Sequence, residues 1–346
     1  MKINRIFKLT IIAVTVIGMF FSTSFAQQNE DSIITIRSTH NDGPDSNWNR
    51  AVVKFAELAE KYTDGKVKVE VYPSGVLSNN DNVVIAQQVT SGVLEMCTVA
   101  GAFWERFNIP ELGFYQLPFL FEDIDQAFML YRSPVVREQF KKFESIGVKM
   151  IDIWPRGFAV ITNNKKPIKT MEDFKGLRMR GAEAGIAGDI WRGLGASAVP
   201  ISFGELYTAL QLGTADGQQN PFGTIYGANL HEVQKYMTVA PLYTSTMTVC
   251  FNKAFWDSLS DEIQAALQQA SYEAGLYKKH IDNLDYDLYV PRMIEEAGVE
   301  IYEVPDEEIE RWREATKSVY DKYREDLGGE FINKILQVLE NLSEYK

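Results

Sequence analysis

The chain has 346 residues, 45% of them hydrophobic, and a formal net charge of -12 at pH 7. This charge disfavours nucleic acid as a partner and repels small anions at long range, so an anion site must rest on a few local donors in a cleft. The length exceeds what one hydrophobic core usually supports, which predicts two lobes.

The N-terminus has the pattern of a secretion signal. A basic stretch ends at Lys8, an apolar run covers residues 9–21, and Ser24 and Ala26 are small residues at the positions that a signal peptidase reads. We predict that residues 1–26 form a signal peptide cleaved after about Ala26. No later apolar run is long enough to span a bilayer, so we expect no membrane anchor.

The first half of the chain alternates between strand and helix patterns. Strands are predicted at 33–39, 67–71, 94–99 and 147–154, and helices at 48–65 and 80–91. Residues 155–157 are predicted to break the last of these strands before a new one at 158–162, where the chain enters its second lobe. Such alternation predicts an α/β fold.

The second half continues the alternation. Short strands are predicted at 178–180 and 198–201, and residues 202–205 read as a capping box that opens a helix to Leu212. Residues 243–251 are predicted to return to the first lobe, and a helix of about 30 residues from Ser260 to Pro291 to lie across both lobes. The predicted division is 31–153 plus 246–285 for lobe I, and 154–245 plus 286–346 for lobe II.

Two arginines on one short strand, Arg178 and Arg180, are the main candidate for an anion site. A guanidinium on a rigid element is a strong partner for a carboxylate. The alternative is a solvent-facing strand edge. Against it, the next positions on the same face, Gly176 and Ala182, provide no acid to pair with the arginines.

Two further side chains are candidates for a binding site at strand ends and helix starts. Phe203 is predicted to be the first residue of a helix, at the open edge of the lobe, and Asn220 offers both a donor and an acceptor. Enzyme motifs are incomplete: the three histidines are far apart in sequence, and no phosphate-binding glycine loop is present. We therefore predict no catalytic residues, no cofactor and no metal. Whether Cys97 and Cys250 pair stays open.

The chain resembles the extracytoplasmic solute-binding proteins of tripartite ATP-independent periplasmic (TRAP) transporters. The motifs that carry the resemblance occur in order over nearly the whole mature chain. They are Phe55-Ala56-Glu57-Leu58, Val71-Tyr72-Pro73-Ser74-Gly75, Leu117-Pro118-Phe119-Leu120-Phe121, Thr162-Asn163-Asn164, Gly176-Leu177-Arg178-Met179-Arg180 and Ala215-Asp216-Gly217-Gln218-Gln219-Asn220-Pro221.

The resemblance implies a two-lobe periplasmic binding protein with a hinge and a long helix bracing both lobes. It implies that Arg180 pairs with a ligand carboxylate, that Arg178 is structural, and that the partners are a small and a large integral membrane permease subunit. Asn220 and Phe203 match pocket positions of similar proteins, and Asn41, Asn80, Ala100 and Trp104 match the wall of the first lobe. A monomer is expected.

This chain departs from the family pattern at one place. Many relatives have an arginine shortly before the Thr-Asn-Asn segment, where this chain has Ala159, so a second carboxylate contact would require Arg156 to turn inward. With Asn41, Asn80, His40 and Asn220 available, a sugar acid or other hydroxylated monoacid is favoured over a C4-dicarboxylate. The alternatives are that dicarboxylate, an enzyme acting on small acids, and a binding protein that serves an ATP-driven importer or a sensor.

Overall fold

The computed structural model describes residues 33–181 and 185–344, so the predicted signal peptide lies outside the described residues. Strands and helices alternate, which confirms the predicted α/β class. The strands are β1 (Ile34–Thr39), β2 (Val67–Tyr72), β3 (Met96–Val99), β4 (Val148–Phe158), β5 (Val160–Asn163), β6 (Arg178–Gly181), β7 (Ser197–Pro200), β8 (Gly217–Asn220), β9 (Tyr236–Val239), β10 (Thr244–Asn252) and β11 (Glu300–Glu303).

The α-helices lie between and after these strands. They are α1 (Asn47–Tyr62), α2 (Asn82–Thr90), α3 (Ile124–Tyr131), α4 (Pro134–Gln139), α5 (Ile186–Gly193), α6 (Leu206–Gln211), α7 (Phe222–Gly227), α8 (Lys253–Asp257), α9 (Asp261–Asn283), α10 (Asp285–Ala297), α11 (Asp306–Thr316), α12 (Ser318–Tyr323) and α13 (Gly329–Glu344). In the described part of the chain, no helix combines the length and the apolar character needed to cross a membrane.

Two sheets organise the chain. The first has the strand order β2-β1-β3-β10-β4, and the second has the order β11-β9-β5-β8-β6-β7. We refer to the elements packed around the first sheet as the first lobe and those around the second as the second lobe. Because β10 returns to the first sheet and β11 to the second, the chain passes between the sheets three times. The residue boundaries given above for the lobes stay a prediction.

Helix α1 shows how the local sequence produces this packing. The Ser46 side chain accepts a hydrogen bond from Asn49 N at 3.1 Å and so caps the first turn. Trp48, Val52 and Phe55 recur at helical spacing and are buried. This apolar face packs α1 against β2 and α9 in the first lobe.

The predicted strand break at residues 155–157 is wrong. β4 continues through Pro155 and Gly157 to Phe158, and the interruption comes at Ala159. β4 is the edge strand of the first sheet, where proline costs no ladder hydrogen bond on its outer side. A register shift in the pairing with β10 accommodates Gly157, whose φ is +77°.

The predicted single helix from Ser260 to Pro291 is two helices, α9 and α10, separated at Leu284. α10 continues past Pro291 to Ala297 because its buried face packs against α7, and this packing offsets the hydrogen bond that the proline removes. Since α9 packs against α1 and β4, the pair of helices braces both lobes.

Cys97 and Cys250 are both buried and free. They are directly opposite each other on the antiparallel strands β3 and β10. Burial raises the pKa of both thiols, so they remain protonated and act as small core side chains.

Candidate functional site

A cavity of about 100 Å³ is lined by residues of both lobes. The first lobe contributes the loop before α1, the start of α2 and the segment after β3. The second lobe contributes the ends of β6 and β8. The wall of the cavity includes Asn41, Asp42, Asn82, Ala100, Phe103, Glu105, Tyr115, Arg156, Arg180, Phe203, Gln219, Asn220 and Tyr243.

Arg180 is part of the cavity wall on the second lobe and is only 5% exposed. Its Nε donates to the carbonyl oxygen of Ile201 at 2.9 Å, which fixes the direction of the side chain. Burial raises the pKa of the neighbouring Tyr243, and the positive charge of Arg180 opposes that rise. The cavity therefore contains a guanidinium of fixed orientation and a protonated phenol.

Arg178, two residues earlier on β6, has a different environment. Its side chain is 45% exposed and pairs with Asp216, with Nη2 and Oδ1 2.8 Å apart. Burial pushes the pKa of Asp216 upward, but the hydrogen bonds and charge of Arg178 outweigh burial and lower it. The partner acid comes not from the same face of β6, where the sequence has none, but from the residue before the neighbouring strand β8.

Arg156 turns inward from β4 and is 8% exposed. Its Nη2 donates to Asp42 Oδ2 at 3.1 Å and to Thr224 Oγ1 at 2.6 Å. The guanidinium carbon lies 4.3 Å from the centre of the Trp48 ring. Arg156 is thus in the wall, with its charge balanced by a buried carboxylate.

Asn220 and Phe203 complete the wall of the second lobe. Asn220 is the last residue of β8, and its Nδ2 donates to Gln218 Oε1 at 2.6 Å. Phe203 is in the wall, but the predicted capping box is wrong: helix α6 begins at Leu206, and Ser202 Oγ donates to the Glu205 carboxylate at 2.7 Å instead of capping a backbone amide. Phe203 therefore lies in a turn before the helix.

The first-lobe candidates have three different positions. Asn41 and Ala100 are in the cavity wall, and Asn80 lines a wider opening of about 810 Å³ that also includes Arg180 and Phe203. Trp104 is in the core, where its Nε1 donates to Thr248 Oγ1 at 2.8 Å. His40 is also fully buried, and its Nε2 is 3.1 Å from Asn49 Oδ1.

Trp104 and His40 therefore do not reach the cavity. Both belong to segments that end at the cavity, but the side chains turn toward the interior of the first lobe. Burial lowers the pKa of His40 to about 4, so its ring is neutral at pH 7.

Several residues of the wall were missed by sequence reasoning. Asn82 and Gln219 each have a buried side-chain oxygen, Oδ1 and Oε1 respectively, that has no hydrogen-bond partner among the described residues. Asn82 directly follows Asp81, which caps α2, and a polar residue at a helix start was the available signal. Glu105 and Tyr115 come from 3₁₀ turns after β3, whose course no sequence pattern predicts.

Residues 38–326 match the family of bacterial extracellular solute-binding proteins, family 7. The C4-dicarboxylate-binding periplasmic protein DctP of Rhodobacter capsulatus is 30% identical over 299 residues, which are 86% of this chain and 89% of that protein. The 2,3-diketo-L-gulonate-binding periplasmic protein YiaO of Escherichia coli K12 is 31% identical over 251 residues, 72% of this chain and 75% of that protein.

Solved structures agree with these relatives. The sugar acid binding protein DctPAm of Advenella mimigardefordensis, in complex with galactonate, is 28% identical and has a TM-score of 0.84, covering 90% of this chain and 99% of that one. A TRAP periplasmic solute binding protein of Sulfurospirillum deleyianum with bound succinate is 25% identical, with a TM-score of 0.80 and coverage of 89% and 99%. The chain therefore belongs to family 7 of the bacterial extracellular solute-binding proteins, the periplasmic solute-binding proteins of TRAP transporters.

Proposed function

We propose that this protein captures a hydroxylated monocarboxylic acid, such as a sugar acid, and delivers it to the small and large membrane subunits of its transporter. The observation that carries the proposal is the position of Arg180 in the wall of a cavity between the lobes. In the low dielectric of such a cavity, a guanidinium attracts a carboxylate far more strongly than in water. The carboxylate of the ligand would therefore bind at Arg180.

The surroundings of Arg156 support a ligand with one carboxylate over a ligand with two. Its charge is already balanced by Asp42, and a second ligand carboxylate would have to compete with that buried contact. A neutral group of the ligand at this end of the cavity does not need to displace Asp42.

The polar groups of the cavity support a ligand with hydroxyls. The unpartnered oxygens of Asn82 and Gln219 are acceptors, and acceptors pair with hydroxyl donors but not with carboxylates. Asn41 and Asn220 provide further amide groups in the same wall. The galactonate complex of the similar protein from Advenella mimigardefordensis supports the same ligand class.

A C4-dicarboxylate is the second candidate, because Arg156 lies in the same cavity as Arg180. The names of the DctP relative and the succinate complex point to this class. Such a ligand would place its carboxylates at the two arginines and would displace Asp42 from Arg156.

Titration calorimetry with D-galactonate, D-gluconate, succinate and the uncharged polyol galactitol tests the proposal. We expect at least one sugar acid to bind, galactitol not to bind, and succinate to bind more weakly. A ligand at about 100 times its dissociation constant should also add about 2.7 kcal/mol of stability in a thermal-shift assay. Preferred binding of succinate would favour the second candidate, and equal binding of galactonate and galactitol would contradict both.

We further propose that the protein acts as a monomer and does not transform its ligand. The sequence provides no poised base or nucleophile among its three histidines, of which His40 is buried outside the cavity. Prolonged incubation followed by NMR of the recovered acid should show the acid unchanged, and light scattering should give the mass of one chain. A new product would instead indicate an enzyme.

A further inference from the structure

A cluster of buried charged side chains lies at the break between α9 and α10. Lys278 and Asp282 form an ion pair on α9, and both side chains are 3% exposed. Asp285, the first residue of α10, is 4% exposed and lies beside them. Because this break joins the helix that packs on the first lobe to the helix that packs on the second, the cluster is at a junction of the lobes.

Asp285 accepts hydrogen bonds from both lobes. Asn47 Nδ2 on α1, in the first lobe, is 2.6 Å from Asp285 Oδ1. The backbone N of Gly223 on α7, in the second lobe, donates to Oδ2 at 3.2 Å. A Cβ atom at residue 223 would lie 2.7 Å from Oδ2, so only glycine allows the carboxyl group this close to the backbone. Separating the lobes must break at least one of these contacts.

The hydrogen bonds of Asn47 indicate that one of the carboxyl groups beside it carries a proton. Its Nδ2 has two hydrogens but faces three acceptors: Asp285 Oδ1 at 2.6 Å, Asp282 Oδ1 at 3.1 Å and the carbonyl oxygen of Ile281 at 3.3 Å. The carboxylate oxygens of Asp282 and Asp285 thus lie within 3.1 Å of the same nitrogen and compete for its hydrogens, so the two side chains repel each other when both are ionised. A proton on one of them removes this repulsion. Because Lys278 pairs with Asp282, we assign the proton to Asp285.

The charges around Asp285 favour the same protonated form. Burial and the negative charge of Asp282 raise the pKa of Asp285 to about 7, although Lys278 and the two hydrogen bonds oppose that rise. Further charged or titratable groups lie around the cluster. Asp42 and Arg156 pair with each other, Glu122, Asp123 and Tyr286 line a cavity together with Asp282 and Asp285, and the charges of Arg50 and Arg292 act on Tyr289 of α10. With Asp285 neutral, the ionised carboxylates of Asp282 and Asp42 each have a cation as partner, Lys278 and Arg156 respectively.

We propose that Asp285 holds a proton while the lobes are together, and that this proton makes closure over the ligand depend on pH. When the lobes separate, water reaches the carboxyl group and its ionised form becomes favourable. Closure then takes up a proton, and affinity for the ligand falls as pH rises toward neutrality, by at most about tenfold per pH unit for one linked proton, and levels off above the pKa of the closed form. The ligand part of this inference rests on the proposed function.

The raised pKa of Asp285 also makes the stability of the folded chain depend on pH. The pKa of Asp285 is raised in the folded chain, from 3.8 to about 7. The stabilisation that it contributes is therefore fully present below its unfolded pKa of 3.8, decreases as pH rises from there, and is lost once pH has passed the folded pKa of about 7.

Calorimetric titration of D-galactonate at pH 6.5, in buffers of different ionisation enthalpy, measures proton uptake on binding. We expect wild type to take up a fraction of one proton and Asp285→Asn, which is neutral at every pH, to take up none. Asp287→Asn is the matched control, because Asp287 lies in the same turn of α10 but is exposed. Zero uptake by wild type, or equal uptake by wild type and Asp285→Asn, would overturn the inference.

A second measurement needs no ligand and so separates this inference from the proposed function. Urea unfolding of wild type, Asp285→Asn and Asp287→Asn from pH 5 to pH 9 should show wild type losing stability relative to Asp285→Asn between pH 5 and about pH 7, with no further loss above that pH. The Asp287→Asn profile should follow wild type. Parallel profiles for wild type and Asp285→Asn would show that Asp285 is ionised throughout, whatever ligand the cavity binds.

Discussion

Strand β6 carries two arginines, and these lie in opposite environments. At the outer end, Arg178 is 45% exposed and forms an ion pair with Asp216. At the inner end, Arg180 is 5% exposed, bonds to a backbone carbonyl and lies in the cavity wall. Two residues of spacing thus separate an arginine that holds two strands together from one that faces the space between the lobes.

The comparison shows that the depth of a guanidinium decides its role. A surface ion pair is screened by water and contributes little to binding at a distance. A buried guanidinium keeps its field because few water molecules surround it. Substitutions of Arg180, Asn82, Asp42 and Arg178 test this difference and the groups around it, in decreasing order of their expected effect on binding.

Arg180→Ala should weaken binding of the preferred sugar acid by about 30-fold or more. Removing one partner of a buried charge pair costs roughly 2–5 kcal/mol, which corresponds to this change in dissociation constant. Titration calorimetry of the folded variant measures it. Affinity equal to wild type would show that the carboxylate binds elsewhere in the cavity.

Asn82→Ala should weaken binding of D-galactonate by roughly 2- to 10-fold, since a neutral hydrogen bond contributes about 0.5–1.5 kcal/mol. D-glycerate, which has fewer hydroxyls, should lose less. Competition titrations of the two acids give the ratio. Equal losses for both acids would mean that Asn82 acts on the carboxylate end or on folding.

Asp42→Asn tests whether the ion pair with Asp42 prevents Arg156 from binding a ligand carboxylate. Without the Asp42 charge, the guanidinium of Arg156 can attract a second carboxylate, so affinity for succinate relative to D-galactonate should rise a few-fold. Thr224 still accepts from Arg156 and keeps it in place. An unchanged ratio of the two affinities would show that Arg156 does not contribute to the choice between these ligands.

Arg178→Ala should leave affinity unchanged and lower the melting temperature by a few degrees at pH 7. The pKa of Asp216 is depressed in the folded chain, so its stabilisation is present above its ordinary pKa of 3.8 and is lost as pH falls through the folded value. The difference from wild type should therefore shrink at pH 3. Melting curves by circular dichroism at both pH values check this, and a large loss of affinity would contradict the assignment.

Much of the fold could be predicted because periodic patterns report on local structure. The apolar spacing of α1 and the alternation of β2 both match the structure. The errors occur where tertiary contacts decide. β4 passes through Pro155 because it is an edge strand, and α10 passes through Pro291 because α7 covers its buried face.

The wall of the cavity was predictable in part. Arg180, Asn220, Phe203, Asn41 and Ala100 all lie in the cavity wall, and Arg156 turns inward. Trp104 and His40 do not reach it, because position in sequence at a strand end does not say which way a side chain points. The partner of Arg178 was missed for a related reason, since Asp216 is adjacent only across strands.

The alternation of strands and helices and the two arginines on one strand can be derived from the amino-acid sequence because they depend on neighbouring residues, and the excess of negative charge follows from composition. The folded chain is needed to know which arginine is buried, which acid neutralises Arg156, and that Asp285 lies between Asn47 and Gly223. Burial and charge pairing depend on residues that are far apart in the chain, and these are the quantities that set the strength of an electrostatic contact.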